Sequence, residues 1–150
     1  MIFSSKLATR FLNAQTGEFL QATPTVVSTN KADNSQGQNW VVRDVGQLDW
    51  VTIENQATGK YLDSDEQGNV FTSDSSEQDR QKWRFVGQTI INVATGRALE
   101  SNALRSVFTQ PLSGQASQNW LQSHFIEFFI KNFFKKIFQP QSTTKLNHLL

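Results

Sequence analysis

The stretch Gly37-Gln38-Asn39-Trp40 decides how this chain is read, because its Gln-x-Trp core returns as Gln81-Lys82-Trp83 and as Gln118-Asn119-Trp120. Working outward, each copy is preceded by the same eight-residue pattern: NAQTGEFL from Asn13 to Leu20, NQATGKYL from Asn55 to Leu62 and NVATGRAL from Asn92 to Leu99. All three read N-x-x-T-G-x-x-L, and the glycine-to-tryptophan distances are 23, 24 and 24 residues. A further marker lies between them: Val27-Ser28-Thr29, Val70-Phe71-Thr72 and Val107-Phe108-Thr109, each with its threonine 11 residues before the tryptophan. Markers recurring in constant order three times define an internal repeat of about forty residues.

Each unit reads as short β-strands joined by turns. Thr-Gly supplies a turn in which glycine tolerates positive φ. Apolar residues alternate in WVTIEN, WRFVGQTIIN and KLATRFLN, the period of half-buried strands. DEQGN at Asp65–Asn69 reads as a hairpin loop, and no window before residue 122 sustains a helical period. Four short strands repeated three times predict a closed threefold barrel, since closure removes open sheet edges. The units fall near residues 1–45, 46–87 and 88–122. Trp40, Trp83 and Trp120 then converge on a pseudo-threefold axis, each burying roughly 150–250 Å². The glutamine two residues earlier carries an amide able to satisfy loop backbone groups.

The bulk composition narrows the function classes. A chain of 150 residues with net charge +1 gives no electrostatic case for nucleic acid binding. The absence of cysteine removes disulfides, thiol nucleophiles and thiolate metal sites. The N-terminal stretch holds no apolar run of signal-peptide length, so a cytoplasmic location or export by a route needing no signal peptide is expected. No stretch is apolar over the roughly 18–20 residues a spanning helix needs. Residues 1–121 sum to −2, whereas residues 122–150 sum to +3 and hold six of the twelve phenylalanines.

The repeated markers resemble the ricin B-type β-trefoil lectins, whose hallmark is three Gln-x-Trp repeats. ATGKYLDSDEQGNVFT with RQKW, and VATGRALESN with VFT and SQNW, are especially similar to the branch that includes fungal lectins and the lectin modules of several toxins. The resemblance covers about residues 3–122. It implies an all-β β-trefoil over residues 1–122, with residues 123–150 as a separate basic, Phe-rich tail. It also implies one sugar pocket per repeat. Such a pocket uses a carboxylate after the repeated leucine, an aromatic on the middle strand, a polar residue before the Gln-x-Trp glutamine, and that glutamine. A carboxylate accepts two strong bonds from neighbouring sugar hydroxyls, an aromatic face covers the apolar side of a pyranose, and amides both donate and accept.

Carried over by position, the resemblance assigns Asp63, Phe71 and Gln81 to the second pocket, with Arg80 in place of the usual asparagine. It assigns Glu100, Phe108 and Gln118 to the third, with Ser117 at the asparagine position. In the first repeat Gln21, Ser28 and Gly37 replace the family residues, so only Gln38 remains. The second repeat is therefore expected to carry the main site and the third a further one. In a plain reading of the residues, Asp63 instead pairs with Lys60 or Arg80, and the phenylalanines face the barrel.

No catalytic set is visible. The two histidines, His124 and His148, lie in the tail and have no metal-ligand spacing. Asp63 and Glu100 are equivalent positions in different repeats, which places them far apart for a glycosidase pair. No metal or cofactor is implied. The expected partners are glycans or glycoconjugates; the oligomeric state stays open.

In the tail, HFIEFFIKNFFKKIFQ at residues 124–139 gathers Lys131, Lys135 and Lys136 on one helical face and Ile126, Phe129, Ile130 and Phe133 on the other, with Phe128 breaking the pattern. Pro140 would end such a helix. A basic amphipathic helix points to a membrane surface or a docking partner. It equally suits a cover for the chain's own barrel, a dimer contact, or the translated AT-rich composition of a frameshift. The expected function is thus a non-catalytic, carbohydrate-binding trefoil. Two alternatives stand beside it: a trefoil that has lost sugar binding and holds a protein, and a toxin-like glycan-targeting module whose tail engages membrane.

Overall fold

The computed structural model describes residues 8–123. The tail helix read at residues 124–139, with His124 and His148, lies outside the described residues. The strands are β1 (Ala8–Thr9), β2 (Phe11–Asn13), β3 (Phe19–Ala22), β4 (Val27–Asn30), β5 (Trp40–Asp44), β6 (Val51–Asn55), β7 (Tyr61–Ser64), β8 (Val70–Ser73), β9 (Trp83–Val86), β10 (Thr89–Asn92), β11 (Ala98–Ser101), β12 (Val107–Gln110) and β13 (Trp120–Gln122). β1 and β2 form one strand interrupted at Arg10. Its first half pairs with β5 and its second with β13. Apart from that break, each repeat contributes four strands.

The outer strand of each repeat meets the inner ones in a ring. Thr9 faces Trp40 and Val51 faces Trp83, while the Trp120 N–H donates to the carbonyl of Gln88 at 2.8 Å. Thr9, Val51 and Gln88 are equivalent positions, so the same contact closes the barrel three times. The hairpins β3–β4, β7–β8 and β11–β12 cap one end. Their seams are joined by the bridges Ser28 to Ser106 and Asn69 to Phe108. The architecture is a β-trefoil.

Repeated residues explain the repeated geometry. Asn13, Asn55 and Asn92 are fully buried. Each accepts, on Oδ1, the backbone N–H groups two and three residues on, at 3.1–3.3 Å. That bonding folds the Asn-x-x-Thr-Gly turn, and Gly17, Gly59 and Gly96 sit at φ 70, 71 and 71°. Each Nδ2 then donates to a carbonyl of another repeat: Ser117 for Asn13 (2.9 Å), Gly37 for Asn55 (3.0 Å) and Arg80 for Asn92 (2.9 Å). The turn residue is therefore also an inter-repeat clamp.

The three tryptophans lie in one core with Phe11, Leu20, Ile53, Leu62, Ile90 and Leu99. Every indole N–H donates to the carbonyl of its own repeat's leucine: Trp40 to Leu20 (3.0 Å), Trp83 to Leu62 (3.0 Å) and Trp120 to Leu99 (2.9 Å). The two sequence markers are thus two ends of one contact. A buried indole needs such a partner, because an unpaired donor there costs about 1–3 kcal/mol.

Candidate functional site

On each cap hairpin the residue after the repeated leucine lies directly across from the middle of the Val-x-Thr marker. The pairs are Gln21 with Ser28, Asp63 with Phe71 and Glu100 with Phe108. Cross-strand partners share a face. Leu20, Leu62 and Leu99 point into the core, so these pairs point outward, where Phe71 and Phe108 are half-buried.

A short 3-10 turn in each repeat, Gln36–Gln38, Asp79–Gln81 and Ala116–Gln118, delivers the Gln-x-Trp glutamine to that pair. Nε2 of Gln38 donates to Gln21 Oε1 (3.1 Å), that of Gln81 to Asp63 Oδ2 (3.2 Å), and that of Gln118 to Glu100 Oε1 (2.9 Å). The same amides donate to the carbonyls of Lys31, Asp74 and Pro111, and accept from the N–H groups of Asp33, Ser76 and Ser113. All three glutamines are buried. Their amides hold the loop and orient the acceptor beside it, which leaves them little capacity for a ligand.

The three pockets differ in what stands before the glutamine. In the first, position 37 has no room for a side chain: a Cβ there would lie 2.8 Å from the Ala22 carbonyl oxygen. With Gln21 and Ser28 across the strands, this repeat has neither carboxylate nor aromatic. In the second, Arg80 Nε donates to Asp63 Oδ1 (2.8 Å) and Nη2 to Oδ2 (3.3 Å), and the guanidinium lies 5.4 Å from the Phe71 ring centroid. Ser73 Oγ adds a donor to Oδ2 at 2.6 Å. Asp63 is consequently 1% exposed, while 42% of the Arg80 side chain remains in solvent. The hydrogen bonds and charge of Asp63 raise the Arg80 pKa further above its ordinary value. A pyranose would place two hydroxyl donors on the carboxylate and an apolar face over the ring; here Arg80 places two N–H donors and a flat guanidinium there.

The third pocket has no such plug. Glu100 Oε1 accepts from Gln118, and among the described residues Oε2 accepts nothing. Ser117 occupies the position from which Arg80 reaches Asp63, and its buried Oγ has no hydrogen-bond partner among the described residues. Phe108 is joined by a bridge to Asn69 of the second repeat's hairpin, so that loop flanks this pocket.

Two features have no place in the sequence reading. Ser73, two residues beyond Phe71 on the same strand face, belongs to the second cluster; period-two alternation from Phe71 points to it. Asp33, Ser76 and Ser113 recur five residues before each glutamine, and the next residue, Asn34, Glu77 or Gly114, has positive φ (61, 59 and 74°). That short polar residue followed by a left-handed one is the signal for the 3-10 turn. Among the described residues no group of three His, Asp or Glu side chains could hold a metal ion.

The family model of the ricin-type beta-trefoil lectin domain matches residues 8–120. No curated protein matches the chain. Among solved structures, the designed 3-fold symmetric protein ThreeFoil is 20% identical with a TM-score of 0.70, over 77% of this chain and 96% of that one. The GlcNAcα1-4Gal-releasing endo-β-galactosidase from Clostridium perfringens is 17% identical with a TM-score of 0.70, over 78% of this chain and 32% of that one. A PSL1a-E64 complex is 20% identical with a TM-score of 0.71, over 81% of this chain and 50% of that one. The chain thus spans about a third of the galactosidase and half of PSL1a, and at these identities the likeness is one of fold. With the family match extending from the first described strand to the last repeated tryptophan, the chain belongs to the ricin-type β-trefoil lectin domain family.

Proposed function

We propose that this protein is a non-catalytic carbohydrate-binding module whose working pocket is in the third repeat, built from Glu100, Phe108, Ser117 and Gln118. The observation that carries this reading is the state of the carboxylates. Among the described residues one oxygen of Glu100 has no protein donor, across the strands from the half-buried Phe108, whereas both oxygens of Asp63 are taken. The sequence alone ranks the second repeat first, because Asp63, Phe71 and Gln81 match the family pattern; the Arg80 contact supports reversing that order. Glu100 Oε2 accepts a sugar hydroxyl and Phe108 covers the C–H face of the ring, while the short, buried Ser117 side chain leaves clear the space that Arg80 fills in the second repeat.

A glycan array of the wild type, Glu100→Ala and Asp63→Ala tests this. Glu100→Ala is expected to lose at least tenfold in signal on the best ligand, and Asp63→Ala to keep it. Undiminished binding by Glu100→Ala overturns the assignment. A silent wild type favours the protein-binding alternative, which a first pocket without carboxylate or aromatic and a filled second one already support.

A further inference from the structure

Beside the second repeat's plugged pocket, and sharing Gln81 with it, lies a cleft of about 340 Å³ lined by Tyr61, Val45, Thr52, Glu77, Gln78 and Lys82. Tyr61 is two residues from Asp63 on the same strand face, about 7 Å along it. The volume falls at the lower end of small-ligand pockets.

The other repeats differ from the second at the positions equivalent to this cleft. The residue before the repeated leucine is Phe19, Tyr61 or Ala98. In the first repeat the ring is covered: Arg10 lies 5.8 Å from the Phe19 centroid and donates to Asn39 at 3.0 Å. In the third, Ala98 offers no ring. In the second, Arg10 is replaced by Thr52, which leaves the ring free. The wall is also taller, because residues 45–50 connect β5 to β6 whereas residues 87–88 suffice between β9 and β10.

The polar groups around the ring are available. Among the described residues the side chains of Thr52, Glu77 and Gln78 make no protein hydrogen bond. Lys82 is 18% exposed and is fixed from behind, by Asp79 at 3.1 Å and the Trp50 ring at 5.9 Å. Its remaining N–H donors serve the cleft. Burial, and then Glu54, raise the Tyr61 pKa above its ordinary 10.0, so the phenol is neutral at physiological pH.

We infer that this cleft is a second carbohydrate subsite, for a neutral pyranose stacked on Tyr61 and held by Thr52, Glu77, Gln78 and Lys82. The charge balance selects the class: Lys82 is already countered by Asp79, and Glu77 adds a negative charge, so an acidic sugar finds no free cation. The inference rests on the carbohydrate-binding reading above and adds a site that the carboxylate–aromatic pair does not use.

The test is an amide NMR titration of the nitrogen-15-labelled full chain with methyl β-D-galactopyranoside, N-acetyl-D-glucosamine and D-glucuronate. A neutral sugar is expected to shift the Thr52, Tyr61, Gln78 and Lys82 amides. Those shifts survive in Glu100→Ala and in Tyr61→Phe, which keeps the ring, and vanish in Tyr61→Ala, whose unchanged tryptophan indole N–H signals report an intact barrel. Shifts from glucuronate alone overturn the neutral class. Shifts confined to Glu100, Phe108 and Gln118 overturn the cleft and leave the third-repeat pocket standing. No shift at either place overturns both.

Discussion

Replacing Arg80 by asparagine should convert the second pocket from a filled site to a working one. The substitution removes the bonds to Asp63 at 2.8 and 3.3 Å and the stack on Phe71 at 5.4 Å. Hydrogen bonds to a charged group contribute about 1.5–3 kcal/mol in full, but 42% of the Arg80 side chain is in water, and screening brings the pair to about 1–2 kcal/mol. The ring contact adds about 0.5 kcal/mol. Asp63 is not orphaned, since Ser73 and Gln81 still donate to it. The net loss is then about 2 kcal/mol, which lowers Tm by about 5–10 °C for a domain of this size. In exchange, Oδ1 and the Phe71 face become free for a sugar. Binding is measured by calorimetry with the best array ligand in the Glu100→Ala background, with and without Arg80→Asn. The added substitution should restore binding that Asp63→Asn then removes. A folded Glu100→Ala/Arg80→Asn protein, with the expected fall in Tm and no gain in binding, would refute Arg80 as the plug.

Further outcomes test the scaffold. Gly59→Ala places a side chain at φ +71° in open space and should cost about 1–2 kcal/mol. Gly68→Ala, at φ +89° with its Cβ 2.8 Å from the Thr109 carbonyl oxygen, should cost at least about 1 kcal/mol more in urea unfolding; equal losses refute the close approach of the second and third hairpins. Asn92→Ala strands the Arg80 carbonyl and two turn N–H groups and should cost about 2–3 kcal/mol by the same assay; a loss below about 1 kcal/mol would dismiss the clamp. Asp65 is held below its ordinary 3.8 by the Asn69 side chain and by the Asn69 and Gln67 N–H groups. Its folded carboxyl therefore stays charged to lower pH than its unfolded one, so this stabilisation is full above about pH 3.8 and is lost as the pH falls through the lowered folded value. Asp65→Asn should melt below wild type at neutral pH, with the gap closing in acid; a constant gap contradicts that linkage.

The repeat was legible because its residues each make the same contact three times. Asn-x-x-Thr-Gly, the leucine and Gln-x-Trp are tied by side-chain-to-backbone bonds that depend on residue type, so identity survives where geometry does. The grouping of these residues was legible as well: the constant order of leucine, Val-x-Thr and Gln-x-Trp puts Asp63 with Phe71 and Glu100 with Phe108, which the hairpins pair across their strands. The condition of each pocket was not. In the sequence Arg80 only takes the place of an asparagine; its two bonds to Asp63 and its place over the Phe71 ring depend on the fold. The Tyr61 cleft was hidden because it depends on the length of a connection in the neighbouring unit and on what fills the equivalent space at Arg10.

The position before the glutamine can vary this widely for a physical reason. The backbone of Gly37, Arg80 and Ser117 is held through the carbonyl, which accepts from Asn55, Asn92 and Asn13 of another repeat. The clamp fixes the backbone and is indifferent to the side chain. Fold and pocket chemistry are thereby uncoupled at the one residue that overlooks the carboxylate. At Gly37 there is no room for a side chain beside the Ala22 carbonyl, at Arg80 a guanidinium covers Asp63, and at Ser117 a short side chain does not reach Glu100, with the barrel beneath unchanged. The same uncoupling is why Arg80→Asn should fold: its cost lies in contacts outside the core, and the Asn92 bond to residue 80 persists whatever side chain that residue carries.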